Sequence, residues 1–335
     1  MRTALSLLLL AGCSGSGLTA NLAGADDTIV ARTCLGGWLP EVATGDFEHF
    51  SSSLVALDFA RHVADDALAT DAGPIRLDAK LAYGALNLDL EDEAVEIWID
   101  SCSGPEHVAT AWTDDSGRVA VELPADTVDA YGELGVFFRV VGDGTVARST
   151  LRRFPVGTHL AVFDIDGTLT TSDSELFYDL FSELGDGSYV PEARAGALET
   201  VEARMAQGYE VVYLTGRPYW LDGISRGWLD QLGFPASTLH LAHRTSEILP
   251  FDSSVGDYKA AWLDRLAADG FSVDVAYGNA TTDIYGYRMA GVPLETTHIV
   301  GVHGGEGGTV ALGDDYVRHL GTLVDAPTVE QPFGW

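Results

Sequence analysis

Two carboxylates separated by one residue follow an apolar segment in the second half of the chain. Residues 160–163 read Leu-Ala-Val-Phe, and Asp164 and Asp166 come directly after them, followed by Gly167 and Thr168. If the apolar segment is a buried strand, its end can present one carboxylate to a metal ion and the other to a leaving group. Taken alone, the Asp-x-Asp-Gly pattern is weak evidence, because a calcium-binding loop or a simple turn has the same composition.

Three further polar motifs come at the ends of predicted elements. Residues 215–217 (Thr-Gly-Arg) follow a second apolar run and offer a hydroxyl and N–H groups to a phosphoryl oxygen. Lys259 opens a predicted helix, where its fixed cation can neutralise a nucleophile and a phosphate. Asn279 and, one helical turn later, Asp283 form an oxygen-rich pair of the kind that suits Mg²⁺. Because all four motifs occur in order, each at a strand end or helix start, we predict one phosphate-handling site.

The elements that carry these motifs read as strands alternating with helices. Helical patterns over 191–207 and 258–269 separate the short apolar runs. Such an array predicts a doubly wound parallel sheet, which binds ligands at the carboxyl ends of its strands. The predicted strands are 160–163, 211–214, 239–241, 273–276 and 298–300.

The first half of the chain follows a different period. From about residue 75 to 150 apolar and polar residues alternate, with turn residues between the runs, which predicts a small antiparallel β-sandwich. Apolar residues at helical spacing over 47–68 predict one helix packed on that sandwich. The resulting domains are 1–12 (signal peptide), 13–26 (tether), 27–74 (mostly helical segment), 75–155 (β-sandwich), 156–326 (α/β domain) and 327–335 (tail).

The N-terminus has the features of a secretory signal. Arg2 precedes an apolar stretch over residues 4–10, and Leu-Ala-Gly-Cys at 10–13 resembles the lipobox of bacterial lipoproteins. That resemblance implies cleavage before Cys13 and a lipid on its sulfur; the alternative is a secreted protein without a lipid. Ser14 favours the outer membrane, so we expect a lipid-anchored protein of the bacterial cell envelope. Cys34 and Cys102 form an even pair in an oxidising compartment, where a disulfide is possible but not established by sequence.

Composition limits the partners. The chain has 19 Lys and Arg against 50 Asp and Glu, a net charge of −31. Nucleic-acid binding is therefore not expected, because phosphate backbones require clusters of cations. No apolar run reaches about 18 residues, which excludes a transmembrane helix. The same negative charge opposes approach to an anionic membrane surface.

The order of the four motifs resembles the haloacid dehalogenase superfamily of phosphotransferases. Within it, the lipin catalytic domain is similar at residues 164–170, 213–217, 226–229, 278–287 and 291–293. The likeness to the carboxy-terminal region of the Nir phosphatidylinositol transfer proteins is longer and covers roughly residues 75–325. In Nir proteins the catalytic aspartates are generally degraded, and the domain is thought to sense phosphatidic acid. Here Asp164 and Asp166 are both intact, as in lipins, which are magnesium-dependent phosphatidate phosphatases.

The resemblance implies a role for each motif residue. Asp164 is expected to attack phosphorus and form an aspartyl-phosphate, and Asp166 to protonate the leaving alkoxide and then deprotonate water. Arg217 is expected either to contact the phosphate or headgroup or to form an exposed ion pair. The expected groups are: catalytic, Asp164, Asp166, Thr215 and Lys259; substrate-binding, Gly167, Thr168, Gly216 and Arg217; Mg²⁺-binding, Asp164, Asp166 through its backbone carbonyl, Asn279 and Asp283.

Two functions from different classes follow. The first is hydrolysis of phosphatidic acid to diacylglycerol, and the second is binding of phosphatidic acid without catalysis. A phosphatase of a soluble phosphomonoester is a third possibility. The segments 170–209 and 243–256 are too short to carry a cap domain, which predicts an open site and favours a large or membrane-embedded substrate.

Overall fold

The computed structural model describes residue 29 and residues 31–171, 192–243 and 254–332. The predicted signal peptide, Cys13 and the tether lie outside these residues, and so does most of the segment 170–191 that bears on the absence of a cap. None of the described helices is long and apolar enough to cross a membrane.

Residues 31–154 form a β-sandwich. Its elements are β1 (Ala31–Cys34), α1 (Phe50–Val55), β2 (Val63–Ala64), β3 (Ala67–Thr70), β4 (Ile75–Lys80), β5 (Ala82–Tyr83), β6 (Leu88–Asp89), β7 (Ala94–Asp100), β8 (Pro105–Trp112), β9 (Arg118–Leu123), β10 (Tyr131–Val140) and β11 (Val146–Phe154). One sheet has the order β3-β11-β10-β7-β8, with β1 parallel to the first half of β10; the other has the order β2-β4-β9. The alternation along each strand directs one apolar set inward, so that β4 and β7 share one core.

A disulfide joins two strands of this sandwich. Cys34 at the end of β1 and Cys102 just after β7 form a disulfide, with their Cα atoms 4.9 Å apart. β1 and β7 lie along the same edge of β10, one after the other. The disulfide therefore joins two strands that are neighbours in space but 68 residues apart in sequence.

The helix predicted over 47–68 is wrong for most of its length. Only α1, six residues long, is helical, and the segment 63–70 instead forms β2 and β3. The sandwich therefore begins well before residue 75, and the segment 27–74 is not mostly helical. The apolar residues at helical spacing do not form one buried stripe, because Leu54 and Leu57 are 54% and 83% exposed, whereas Ala64 lies in β2 and Leu68 in β3.

Residues 159–323 form the α/β domain. Its elements are β12 (His159–Phe163), α2 (Ala197–Ala206), β13 (Glu210–Pro218), α3 (Asp222–Gln231), β14 (Thr238–Ala242), α4 (Ser254–Ala268), β15 (Ser272–Gly278), α5 (Thr281–Met289), β16 (Thr297–Val300), β17 (Val310–Gly313) and α6 (Val317–Leu323). The sheet has the order β14-β13-β12-β15-β16-β17, and each neighbouring pair is parallel. The predicted parallel sheet is confirmed. The sixth strand, β17, was not predicted, because it lies at an edge and is only partly buried.

The strand order reverses between β12 and β15, since the chain fills the sheet outward from β12 in one direction and then returns to β15 on its other side. This switch point opens a crevice at the carboxyl ends of the two strands. Phe163 and Tyr277, the neighbouring residues at those ends, stack with ring centroids 4.3 Å apart. This stacked pair therefore joins the ends of β12 and β15 next to the crevice.

The two domains share buried contacts. Leu68 of β3 and Phe154 of β11 pack in one apolar cluster with Leu160 and Trp262 of the α/β domain. The Asp66 carboxylate, only 3% exposed, accepts a hydrogen bond from Arg226 Nη1 at 2.9 Å. The same carboxylate accepts the N–H groups of Thr150 and Leu239, each at 3.1 Å, one from each domain. Asp66 is therefore a polar centre of the domain interface.

Replacement of Asp66 by Ala is expected to lower the free energy of unfolding by about 3 kcal/mol, because two backbone N–H groups lose their acceptor and Arg226 loses one of its two carboxylate partners, Asp222 being the other. Thermal unfolding measures the effect as a fall of several degrees in Tm. Asp264→Ala, at an exposed position of α4, is the matched control and should stay within about 0.5 kcal/mol of the parent. Equal Tm values for the two variants would show that Asp66 does not stabilise the interface.

Candidate functional site

The carboxyl ends of β12, β13 and β15 bring the four sequence motifs together. Asp164 directly follows β12 and is 4% exposed. Its N–H donates to the carbonyl of Tyr277 in β15 at 3.0 Å. The backbone bond continues the β12–β15 ladder by one residue, so the Asp164 side chain starts from a fixed position.

A buried ammonium lies between two buried carboxylates. Lys259 Nζ donates to Asp164 Oδ1 at 2.7 Å and to Asp283 Oδ1 at 2.6 Å, and all three side chains are at most 6% exposed. Asp283 Oδ2 accepts the N–H groups of Asn279 and Ala280 at the start of α5, at 2.9 and 3.0 Å. Asp283 thus caps its own helix and fixes the lysine at the same time.

Two glycines allow α4 and α5 to come close enough for this contact. A Cβ atom at Gly256 would lie 2.6 Å from the Tyr285 ring and 3.0 Å from the Thr282 carbonyl. A Cβ atom at Gly286 would lie 3.0 Å from the Gly256 carbonyl and 3.1 Å from Lys259 Cβ. Larger residues would push the helices apart and draw Lys259 away from Asp283.

The protonation of this trio follows from burial and charge. Burial raises the pKa of the Asp164 carboxyl to about 7, and the neighbouring Asp283 and Asp166 carboxylates add to the rise, whereas the Lys259 ammonium opposes it. Burial lowers the pKa of Lys259, but the two carboxylates outweigh burial and leave it above its ordinary value. Near neutral pH Lys259 is therefore charged and faces two carboxyl groups.

Thr168 links Asp164 to the loop after β15. Its hydroxyl, fully buried, lies 2.7 Å from Asp164 Oδ2 and 3.2 Å from Asn279 Oδ1. One hydroxyl proton serves two acceptors, so at any moment one of these oxygens lacks that proton. Thr168 therefore orders the loop and positions two oxygen atoms side by side.

The loop after β12 uses most of its own N–H groups. Gly167, with φ +69°, donates to Thr170 Oγ1 at 2.9 Å, and Thr168 donates to the Ile165 carbonyl at 3.2 Å. The Asp164 N–H is also engaged, by the Tyr277 carbonyl, so few N–H groups of this loop can contact a phosphoryl oxygen. In the described part of the chain, the N–H groups of Ile165 and Asp166 are those left for a ligand.

Asp166 is held by an arginine. Arg217 Nε and Nη2 each donate to the Asp166 carboxylate at 2.8 Å, which makes a bidentate ion pair. Arg217 is 1% exposed, donates through Nη1 to Ser225 Oγ at 2.9 Å, and its guanidinium carbon lies 5.9 Å from the Trp228 ring. The expectation of an exposed ion pair at Arg217 is wrong. The arginine positions Asp166 instead.

Thr215 and Gly216 complete this side of the site. Thr215 Oγ1 donates to Asp166 Oδ2 at 3.3 Å and accepts the Arg217 N–H at 3.1 Å. Gly216 approaches α4 closely, since an added Cβ would lie 3.1 Å from the Val255 side chain. Thr215 therefore faces the second carboxylate, and Gly216 permits the contact between β13 and α4.

Oxygen donors for a cation are fewer than expected. No group of three or more His, Cys, Asp or Glu side chains in the described ranges is placed to hold a metal ion. Asp283 faces Lys259 and the Asp166 side chain faces Arg217, so neither carboxylate is directed at a shared cation. Asp164 Oδ2 and Asn279 Oδ1 remain side by side. Two hard oxygens completed by backbone oxygen and water are compatible with Mg²⁺, which keeps several waters in its protein sites.

Two residues of the site were not found from sequence. Ser225 on α3 holds Arg217, and Arg194 donates through Nε to the Gly167 carbonyl at 2.8 Å. Ser225 acts on the arginine that bonds Asp166, and Arg194 acts on the loop that carries both aspartates; neither belongs to a sequence motif. Their roles depend on how α3 and the segment before α2 pack, which local spacing does not reveal.

The chain combines a β-sandwich with a parallel α/β domain in which Asp-x-Asp follows a central strand. Residues 60–152 match the family model described as "PITM 1-3, beta-sandwich domain", and residues 161–301 match "PITM 1-3, LNS2 domain". These regions coincide with the two structural domains. Each domain therefore has a counterpart among the PITM 1-3 family models.

Curated relatives give the same result. The chain is 31% identical over 271 residues to "Protein retinal degeneration B" of Drosophila melanogaster, covering 79% of this chain and 20% of the relative. It is 31% identical over 274 residues to "Membrane-associated phosphatidylinositol transfer protein 3" of Homo sapiens, covering 79% and 26%. The chain thus spans about a fifth to a quarter of these relatives. A Parabacteroides merdae β-glucuronidase structure aligns at 9% identity, covering 72% of this chain and 33% of that one with a TM-score of 0.23, too weakly to bear on the fold.

Replacement of Lys259 by Met is expected to lower the free energy of unfolding by about 3 kcal/mol or more, because Asp164 and Asp283 are left as buried like charges. The added substitution Asp283→Asn should recover part of that loss, since it removes one charge and keeps an acceptor for the helix N–H groups. Denaturant unfolding of the two variants measures the coupling. If the double variant is less stable than K259M by the full cost of D283N alone, the two residues do not interact as described.

Proposed function

We propose that the chain is a haloacid dehalogenase-type phosphatase that hydrolyses a phosphomonoester lipid, with phosphatidic acid as substrate and diacylglycerol as product. The observation that carries the proposal is the Asp164 carboxylate, buried at the end of the central strand between Lys259 and Thr168. A second carboxylate, Asp166, lies two residues further on. The similarity to a membrane-associated phosphatidylinositol transfer protein of Homo sapiens supports a lipid as the ligand class.

The chemistry divides into two displacements. Asp164 attacks phosphorus in line, the bond from phosphorus to the alkoxide oxygen breaks, and Asp166 gives the departing alkoxide a proton. Asp166 then takes a proton from water, which attacks phosphorus and releases phosphate and the Asp164 carboxylate. The Lys259 ammonium offsets negative charge as it moves between nucleophile and phosphoryl group. Mg²⁺, bound by Asp164, Asn279 and the Asp166 carbonyl, would supply further positive charge to the phosphoryl oxygens.

Arg217 supports the orientation of Asp166 that the mechanism requires. Its two charge-assisted bonds hold the Asp166 carboxylate in one position, two residues after the proposed nucleophile. We also propose that Cys13 carries a lipid, which would hold the site near a bilayer of the cell envelope and raise the effective concentration of substrate.

A second function has an observation in its favour. Arg217 bonds both oxygens of Asp166, so a phosphate held beside Lys259 and a divalent cation would find Asp166 already engaged. In that case the chain binds phosphatidic acid and does not hydrolyse it. The following experiment separates the two functions.

Phosphate release from phosphatidic acid in mixed micelles is expected to require Mg²⁺ and to fall at least about a thousandfold in Asp164→Asn, which removes the nucleophile but keeps the side-chain shape. Soluble phosphomonoesters, assayed in parallel, should be poorer substrates. Release from soluble esters alone would discard the lipid and keep the mechanism. If folded protein binds vesicles of phosphatidic acid and releases no phosphate, the chain is a lipid-binding module.

Arg217→Lys tests the positioning role. Lysine keeps the positive charge but cannot make the bidentate contact with Asp166. Because Asp166 then loses its fixed orientation, kcat should fall about tenfold or more. KM should change little, because Arg217 is buried and its guanidinium bonds Asp166 and Ser225. A rise in KM at unchanged kcat would instead place Arg217 in contact with the substrate.

A further inference from the structure

An exposed apolar surface runs from the sandwich to the proposed phosphoryl site. We call it the apolar rim and define it by five side chains that are between 43% and 84% exposed: Leu57, Phe59, Leu86, Leu88 and Trp220. Large apolar residues exposed singly need no explanation, but a contiguous group marks a binding surface. Contacts between the segments that carry them place these five side chains on neighbouring parts of the surface.

The first contact joins the segment after α1 to the β5–β6 hairpin. Gly84 N–H donates to the Phe59 carbonyl at 2.8 Å. The Asp58 carboxylate packs on the same glycine, since an added Cβ at Gly84 would lie 2.5 Å from Asp58 Oδ2. Leu57 and Phe59 therefore lie beside the turn that carries Leu86, and the intervening carboxylate is turned toward Gly84.

The second contact joins that hairpin to the α/β domain. Asn87 Nδ2 donates to Tyr219 Oη at 2.8 Å, and the Tyr219 and Trp220 rings meet edge to face with centroids 5.2 Å apart. Trp220 is three residues after Arg217, so their Cα atoms are at most about 11 Å apart. The Trp220 end of the rim is thus at most about 11 Å, between Cα atoms, from Arg217, the partner of Asp166.

We propose that the apolar rim inserts into the surface of a lipid bilayer and presents the proposed site to a headgroup in that bilayer, an inference that rests on the proposed function. A diacyl phosphomonoester keeps its chains in the membrane, so the site must reach the membrane surface. The net charge of −31 disfavours docking by electrostatic attraction to anionic lipid. Apolar insertion, with a tryptophan at its edge, provides the attraction that charge does not.

The rim is tested by vesicle flotation of the full chain carrying Cys13→Ser, so that no lipid anchor contributes. The wild-type rim should bind vesicles of phosphatidylcholine alone and of phosphatidylcholine with phosphatidic acid, with little loss in high salt. Leu57→Asp combined with Leu86→Asp should lower the bound fraction about tenfold or more. The matched control is Val324→Asp, at a position that is 81% exposed directly after α6. The preceding residue, Leu323, accepts a hydrogen bond from Gln207 just before β13, so Val324 lies near the amino end of β13, whereas Trp220 follows its carboxyl end. This variant should bind like the parent.

Each outcome has a separate meaning. If the double variant loses flotation and activity on micellar phosphatidic acid but keeps its activity on a soluble phosphomonoester, the rim docks the enzyme to lipid. If the parent floats and the variant loses flotation while neither releases phosphate, the rim stands and the proposed phosphatase fails. Equal flotation of the double variant and the control overturns the rim. So does a parent that stays unbound, or a parent whose rim forms a dimer that the double substitution dissociates.

Discussion

The buried ammonium of Lys259 between Asp164 and Asp283 is the interaction on which the site depends. It ties the end of β12 to α4 and to the first turn of α5, three elements that are distant in sequence. Removing any one of the three charges from water is unfavourable unless its partners stay in place. The close helix contact at Gly256 and Gly286 is therefore a requirement of the site as much as of packing.

A second balance of charge governs what the site can bind. Asp164, Asp166 and Asp283 contribute three negative charges, and Lys259 and Arg217 two positive charges, so the ionised cluster carries one net negative charge. Such a cluster repels a phosphate dianion. This imbalance supports the proposal of a divalent cation beside Asp164 and Asn279, because two added positive charges reverse the sign of the site.

Sequence predicted the parts of the fold whose cause is local. Three of the five predicted strands, 160–163, 211–214 and 273–276, are each followed by a polar motif, and the sheet places those motifs at one edge. The helix predicted over 47–68 failed because its apolar residues at helical spacing do not share one buried face. Leu54 and Leu57 are exposed, whereas Leu68 packs from β3 against the α/β domain, which only the tertiary structure decides. The pairing of Arg217 with Asp166 was equally out of reach, since it depends on Ser225 and Trp228 of α3 holding the guanidinium.

The domain interface gives the β-sandwich a part in the proposed function. The apolar rim takes four of its five side chains from the sandwich and one from the α/β domain, so its shape depends on how the domains are joined. Arg118 of β9 contributes directly: its guanidinium lies 4.9 Å from the Tyr219 ring and donates to the His243 carbonyl after β14. Asp66 fixes the same arrangement from the other side, through Arg226 and Leu239. The two domains therefore meet at the edge of the sheet where β13 and β14 end. If the rim docks to lipid as proposed, these contacts determine how the sandwich side chains are placed relative to the site.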